Sequence, residues 1–264
     1  MRQNLARLGL VAQNLEAQNP AKAPSEQTNS ASKSSQTAQA KHKPQKKEQT
    51  MSETSKTNEY FITAPQPTPR ISEARQDACK DSRFIKPLRL HYKQDGVAKN
   101  WDIIHSHDSV SVMLYESDLD AFVIVKQFRP AVYMRNHDGY VYELCAGLVD
   151  KPKKTLEQIA VEEVFEECGY EIAPNRLEKI ATFYTSVGIS GAKQTIYFAQ
   201  VDKRDKRALG GGIDDENIEV LYLKRKLAMA FIEDESYPKT PALAFGINRF
   251  FYRASLNDAY NLKD

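Results

Sequence analysis

A chain of 264 residues, 41% of them hydrophobic and 27% charged, is long enough for one large or two small domains with a buried core. A formal net charge of +2 calls for no polyanionic partner, and no apolar run approaches the ~20 residues of a membrane span. The three cysteines, Cys79, Cys145 and Cys168, lack CxxC spacing and are odd in number, which argues against a disulfide framework and a thiolate zinc site and fits a reducing, cytoplasmic setting with neither nucleic acid nor membrane as partner.

The opening segment has no secretory apolar stretch and carries Glu16, so it reads as a tail rather than a targeting segment. No Phe, Tyr or Trp precedes Tyr60, and residues 19–57 are mostly Ala, Ser, Gln, Lys and Thr, a composition with little to bury. The basic run Lys41, Lys43, Lys46 and Lys47 has no aromatics between its charges and reads as solvated. Phe61 to Asp81, with Pro65, Pro67 and Pro69 at alternate positions, reads as a linker, so residues 1–82 are expected to be tail and linker.

From Arg83 the texture changes. FIKPLRLHYKQDGVAKNWDII alternates apolar and polar residues around Asp95-Gly96, and glycine's access to positive φ makes that pair a hairpin turn. A small antiparallel β subdomain is expected over residues 83–109. Strands are predicted over Val110 to Tyr115 and Ala121 to Phe128, joined by Ser-Asp-Leu-Asp, and later over Leu177 to Tyr184, Gln194 to Val201 and Ile218 to Leu223. Helical stretches are predicted over Lys224 to about Glu235 and over Pro241 to Ser255. The expected fold is α+β, a mixed sheet between helices in an α/β/α sandwich over residues 110–264.

One helix carries an anomaly. Thr155-Leu-Glu-Gln158 has the form of a capping box and Gly169 suits a C-terminal cap, which predicts a helix over Leu156 to Cys168. At 100° per residue Leu156, Ile159, Ala160 and Val164 form a buried stripe, with Gln158 and Glu162 on the other side. Glu163 and Glu167 fall within the apolar stripe and Glu166 lies at its edge. Two carboxylates four residues apart repel each other, and burying either unpaired costs several kcal/mol. A hard divalent cation between them resolves the conflict, since Mg²⁺ favours carboxylate oxygens, water and phosphate. The plainer reading is that both side chains reach water past a shallow helix edge.

The stretch Gly147 to Tyr170, GLVDKPKKTLEQIAVEEVFEECGY, resembles the Nudix box, G-x5-E-x7-R-E-U-x-E-E-x-G-U. Gly147, Glu163, Val164, Glu166, Glu167, Gly169 and Tyr170 match its frame. The loop is one residue longer, Lys153 and Lys154 stand near the first acidic position, and Glu162 stands where the family usually has an Arg that orients a neighbouring carboxylate. The longer loop without the first glutamate is similar to that of the UDP-sugar pyrophosphatase subgroup. The resemblance extends through PLRLHYKQDGVAKNWD, HDSVSVML, VKQFRPAVY and ELCAGLVD before the box and SVGISGAKQT, GGGIDDENIEV and YPKT after it, from about Lys86 to Tyr252.

This resemblance implies a Nudix fold that uses Mg²⁺, or Mn²⁺ in its place, to hydrolyse the diphosphate of a nucleoside diphosphate sugar, UDP-glucose to UMP and glucose 1-phosphate foremost. ADP-ribose or an ADP-sugar is the alternative substrate, and a non-catalytic Nudix-fold regulator is the alternative class. It implies metal binding by Glu163, Glu167, Glu166 and the Ala146 carbonyl, with Glu166 also catalytic. It implies a general base on the Gly210-Gly-Gly-Ile-Asp-Asp-Glu216 loop, Glu216 foremost with Asp214, Asp215 and Glu219 as substitutes; the plainer reading of that loop is an acidic, exposed connection. Arg129 is a candidate diphosphate clamp, since a guanidinium makes paired hydrogen bonds to phosphate, or else a strand-end ion-pair partner. Glu143, Gly147 and the Ser186-Val-Gly188 turn are expected on the substrate side. The resemblance also implies a homodimer packed through Phe84 to Ile104. His105 and His107 read as structural, because two ligands seldom make a zinc site, and Cys145 and Cys168 read as packing residues.

Overall fold

The computed structural model describes residues 59–82, 85–213 and 216–261, the last five through their backbone alone. The tail with its basic run, residues 83–84, and the substitute bases Asp214 and Asp215 lie outside the described residues.

The hairpin forms as the alternation predicts. β1 (Lys86–Gln94) and β2 (Val97–His105) pair antiparallel from Lys86↔His105 to Gln94↔Val97. Asp95 (φ 50°) and Gly96 (φ 79°) make the turn, the two successive left-handed residues that match the twist of a tight hairpin. This two-stranded sheet is separate from the main one.

The main sheet has seven strands: β3 (Ser109–Glu116), β4 (Ala121–Phe128), β5 (Tyr140–Glu143), β6 (Cys145–Leu148), β7 (Glu178–Thr185), β8 (Ala192–Val201) and β9 (Ile218–Lys224). β3 runs parallel to β8, and the other pairings are antiparallel. β3 and β4 pair only from Leu114↔Val123 to Glu116↔Ala121 and then diverge. The chain fills the gap with β5 beside β4 and β6 beside β3. These two four-residue strands, and the short helix α1 (Pro130–Asn136) before them, are too brief for periodicity to reveal, and sequence reading had assigned none of them.

Alternation sends successive side chains to opposite faces of the sheet. Val110, Val112, Leu114, Val123 and Val125 pack with Ile159, Ala160, Val164 and Cys168 of α2 (Leu156–Cys168). Met113, Phe122, Ile124, Leu221 and Leu223 pack on the other face with Phe231 of α3 (Ala228–Glu233) and with Leu243 and Ile247 of α4 (Pro241–Asn261). The result is the α/β/α sandwich of the α+β class. Lys224 belongs to the end of β9 rather than to a helix, because its strand pairing with Ala121 holds it extended. A 3-10 turn over Arg225–Leu227 precedes α3.

The Pro-rich stretch contributes to this body at its first residue. Phe61 is fully buried among Tyr142, Phe231 and Tyr237, with ring centroids 5.4 to 6.3 Å away. Ile62 N–H donates to the Tyr222 carbonyl and Lys224 N–H to the Tyr60 carbonyl, so this segment covers the free edge of β9. Among the described residues no helix is long and apolar enough to cross a membrane.

Candidate active site

α2 starts and stops where its sequence dictates. Thr155 accepts from Gln158 N–H while the Gln158 side chain accepts from Thr155 N–H, and Gly169 closes the helix at φ 70°. The backbone carbonyls of Glu166 and Glu167 accept from Gly212 and Gly211 N–H, at 3.1 and 2.8 Å, which satisfies acceptors that a helix end leaves open. Gly210, Gly211 and Gly212 all have positive φ. A Cβ at Gly210 would stand 2.3 Å from the Glu167 carbonyl oxygen, so glycine there permits close approach to the helix end as well as a left-handed backbone. The triple glycine thereby docks the loop on the helix end.

That docking brings Glu216 to the acidic face of α2. One cleft of about 540 Å³ is lined by Arg129, Glu143, Ala146, Gly147, Glu163, Glu166, Glu167 and Glu216, together with Gln127, Asp150, Lys151, Gln194 and Thr240 among others. Gly188 stays outside: it is exposed on a turn that faces the hairpin, and its carbonyl accepts from Trp101 Nε1 at 2.8 Å. Glu219 is drawn to the opposite face of the sheet, where Lys126 Nζ donates to it at 3.0 Å, so it is not poised as a base.

The carboxylates of α2 sit in unlike environments. Glu167 is only 4% exposed, which removes the reading that it simply reaches water. Burial pushes its pKa up to about 8, against the hydrogen bond that Ala146 N–H donates to it at 3.0 Å. Burial, with the Glu166 charge, raises Glu163 to about 7. Glu163 lies so close over Gly147 that a Cβ there would come within 2.1 Å of its carboxyl carbon; the absence of a side chain at Gly147 thus makes room for the Glu163 carboxylate. Glu216 accepts from Ile213 N–H of its own loop at 3.1 Å, and its charge adds to the rise of both α2 glutamates.

Arg129 and Lys151 bring positive charge to the lining of this acidic cleft. Arg129 donates through Nε and Nη2 to Glu143 at 3.1 and 2.5 Å, and Gln127 donates to the same carboxylate at 3.3 Å. Burial opposes the Arg129 charge, but the bonds and charge of Glu143, with Glu167 and Glu216, more than restore it. Arg129 is therefore an ion-pair partner that also lines the cleft. Glu162, in the place of the family's usual Arg, is held by Lys151 at 3.2 Å and Lys154 at 2.5 Å. Sequence reading missed Lys151, Gln127, Gln194 and Thr240 as cleft residues. For the first, a lysine in a loop opposite a reversed charge at 162 was the available signal.

Whether a divalent cation fits is answered by the donors. Among the described residues no group of three or more His, Cys, Asp or Glu side chains converges closely enough to hold an ion by itself. Mg²⁺ does not require such a cage: it keeps several waters and binds through one or two carboxylates plus substrate phosphate. A buried carboxylate facing another, with no cation among the described residues hydrogen-bonded to either, is the donor set such an ion stabilises. The residues present fit the group. His105 and His107 are both exposed, and Cys145 is fully buried with its thiol pKa pushed up by that burial, consistent with packing.

No family model matches the chain. It is 37% identical over 210 residues to the uridine diphosphate glucose pyrophosphatase NUDT14 of Bos taurus, across 69% of this chain and 95% of that protein. The Mus musculus protein of the same name gives the same identity and coverage. A GDP-mannose pyrophosphatase of Citrobacter koseri is 34% identical over 174 residues, 62% of this chain and 86% of that one. With an α/β/α sandwich that presents the box glutamates of α2 in a cleft, and with relatives matched along nearly their whole length, the chain belongs to the Nudix hydrolase family.

Proposed function

We propose that this chain hydrolyses the diphosphate of a nucleoside diphosphate sugar, UDP-glucose foremost, to UMP and glucose 1-phosphate. The observation that carries the reading is the buried Glu167 beside Glu163 in a cleft shared with Arg129 and Glu216. The names of the relatives, all pyrophosphatases of nucleotide sugars, support the substrate class.

Glu163, Glu166, Glu167 and the Ala146 carbonyl would hold Mg²⁺, or Mn²⁺ in its place, whose chemistry there is to neutralise the diphosphate and polarise the attacked phosphorus. Ala146 N–H fixes the Glu167 carboxylate from the sheet side. Glu216 leaves its own loop N–H to take a proton from the attacking water. The water oxygen bonds to one phosphorus, the bond from that phosphorus to the bridging oxygen breaks, and the departing phosphate keeps the electron pair. Arg129, already aligned by Glu143, pairs with phosphate oxygens and offsets their growing charge.

The same reading assigns residues 110–264 to catalysis and the hairpin to a homodimer contact. Register sets Leu88, Leu90 and Tyr92 opposite Ile103, Trp101 and Lys99 on one face, and Leu90 and Trp101 are 51% and 53% exposed. An apolar face on an isolated two-stranded sheet needs cover. The free cysteines are in keeping with a cytoplasmic location.

The test is product analysis with Mg²⁺ and a panel of UDP-glucose, UDP-galactose, GDP-mannose, ADP-glucose and ADP-ribose. The expected result is UMP plus glucose 1-phosphate as the fastest reaction, with a loss on the order of 10²–10³ in kcat for Glu167→Gln. Cleavage of ADP-ribose alone would replace the substrate, and cleavage of no member would leave a binding protein.

A further inference from the structure

A second cavity, of about 600 Å³, opens between the end of β7 and the N-terminus of α4. It shares Glu143, Ala146, Gln194 and Thr240 with the carboxylate cleft, so a ligand can run from one into the other. Its walls include Phe183, Tyr184 and Phe245, and its floor includes Ser111.

Ser111 is out of keeping with its strand. Val110 and Val112 fill the core on the α2 side, and Met113 fills the core on the α4 side. By alternation Ser111 points to the α4 side with Met113. It is 1% exposed, and among the described residues its Oγ is the buried side-chain polar atom with no hydrogen-bond partner. A buried hydroxyl left unsatisfied costs about 1–3 kcal/mol, and an alanine at this position would avoid that cost. Its strand partner across β3 and β6 is Ala146, the residue whose carbonyl faces the metal site in the proposed function.

We infer that Ser111 is a substrate-recognition residue whose hydroxyl bonds a ring hydroxyl of the sugar adjoining the diphosphate. The inference rests on the proposed nucleotide-sugar reading. A diphosphate held next to Ala146 puts its neighbouring group into the contiguous cavity, directly over β3. Both ends of a nucleoside diphosphate sugar present a hydroxyl-bearing ring there, ribose on one side and hexose on the other. A serine hydroxyl both donates and accepts, which suits such a partner. The aromatic walls further out would take whatever lies beyond or around that ring. Sites built on a hydroxyl partner reject analogues that lack it, because the protein group is then left unpaired.

The test compares the unaltered chain with Ser111→Ala on UDP-glucose, on its 2′,3′-dideoxyribose analogue and on its 2-deoxyglucose analogue. Ser111→Ala is expected to raise KM for UDP-glucose roughly three- to tenfold with kcat little changed, while its melting temperature holds or rises. On one of the two analogues the unaltered chain should show the same rise and Ser111→Ala no further one. The analogue that behaves so identifies which end of the substrate enters the cavity. Equal losses on all three substrates, or a lowered melting temperature, would assign Ser111 a structural role and overturn the inference, as would no loss on any. If the unaltered chain cleaves no nucleotide sugar, the proposed function falls and this inference with it, an outcome distinct from normal cleavage by both proteins.

Discussion

Two pieces of chain precede the main sheet, and they are opposites. The hairpin of β1 and β2 is fully regular, with paired positions from Lys86↔His105 to Gln94↔Val97, yet every residue of β1 is exposed. The segment around Phe61 makes one isolated bridge, to Leu223, yet Phe61 is completely buried. Backbone regularity and contribution to the core are therefore separate properties. A hairpin satisfies its own hydrogen bonds while leaving its apolar face to be covered from outside, whereas a single aromatic side chain fills a hole in a core whose backbone partners lie elsewhere.

That contrast can be broken by substitution. Phe61→Ala is expected to destabilise the fold by about 3–5 kcal/mol, read as a shift in urea midpoint with unchanged slope; a shift below about 1 kcal/mol would mean the segment is dispensable to the core.

A pH series sharpens the same distinction between exposed and buried charge. The hairpin's Arg89 and Asp102 pair at the surface, but Glu163 and Glu167 have pKa values raised by burial from 4.5 to about 7 and about 8. In this window the folded state binds more protons than the unfolded one, so stability falls as pH rises. In chelator the contribution of these two groups is expected to be fully present near pH 4.5 and to be lost progressively as pH rises to about 8. Thermal melting from pH 4.5 to 8 checks the slope, which Glu167→Gln should reduce and Mg²⁺ should flatten at its upper end. A flat profile in chelator would mean that these carboxylates are hydrated.

The smallest effect on stability belongs to the hairpin. Leu90→Glu should leave unfolding in dilute solution within about 0.5 kcal/mol, while the light-scattering mass falls from a dimer to a single chain of 30.0 kDa. Trp101, the chain's one tryptophan, offers a second reading, since its emission should shift red when the partner leaves. An unaltered chain that is already monomeric at micromolar concentration would end the dimer proposal.

Much of the fold was legible because its elements obey local rules. Asp95-Gly96, the alternation of Ala121 to Phe128 and the Thr155–Gln158 capping box each fix an element through neighbours in sequence. The anomalous Glu163 and Glu167 on an apolar helix stripe were visible in the same way, and burial of Glu167 is the feature that makes the anomaly a candidate site. β5, β6 and α1 were not legible, because four- and seven-residue elements carry too little periodicity and exist to fill the gap where β3 and β4 part. Phe61 was hidden by its prolines, which describe the backbone and say nothing of where an aromatic ring goes. Ser111 had a faint signal, one small polar residue inside the apolar run Val110 to Leu114.

The sequence by itself determined the hairpin, the order of the long strands, the extent of the box helix and the family resemblance of its glutamates, since each depends on residues within a few positions of one another. Only the tertiary structure decided that the triple glycine docks Glu216 against the end of α2, that Glu219 faces away, and that Gly188 belongs to the hairpin side. It alone paired Glu162 with the loop lysines and set Ser111 beneath a second cavity. Those outcomes depend on which groups meet across the fold, and such meetings are settled by packing and by the need to satisfy buried polar groups, neither of which is written in local spacing.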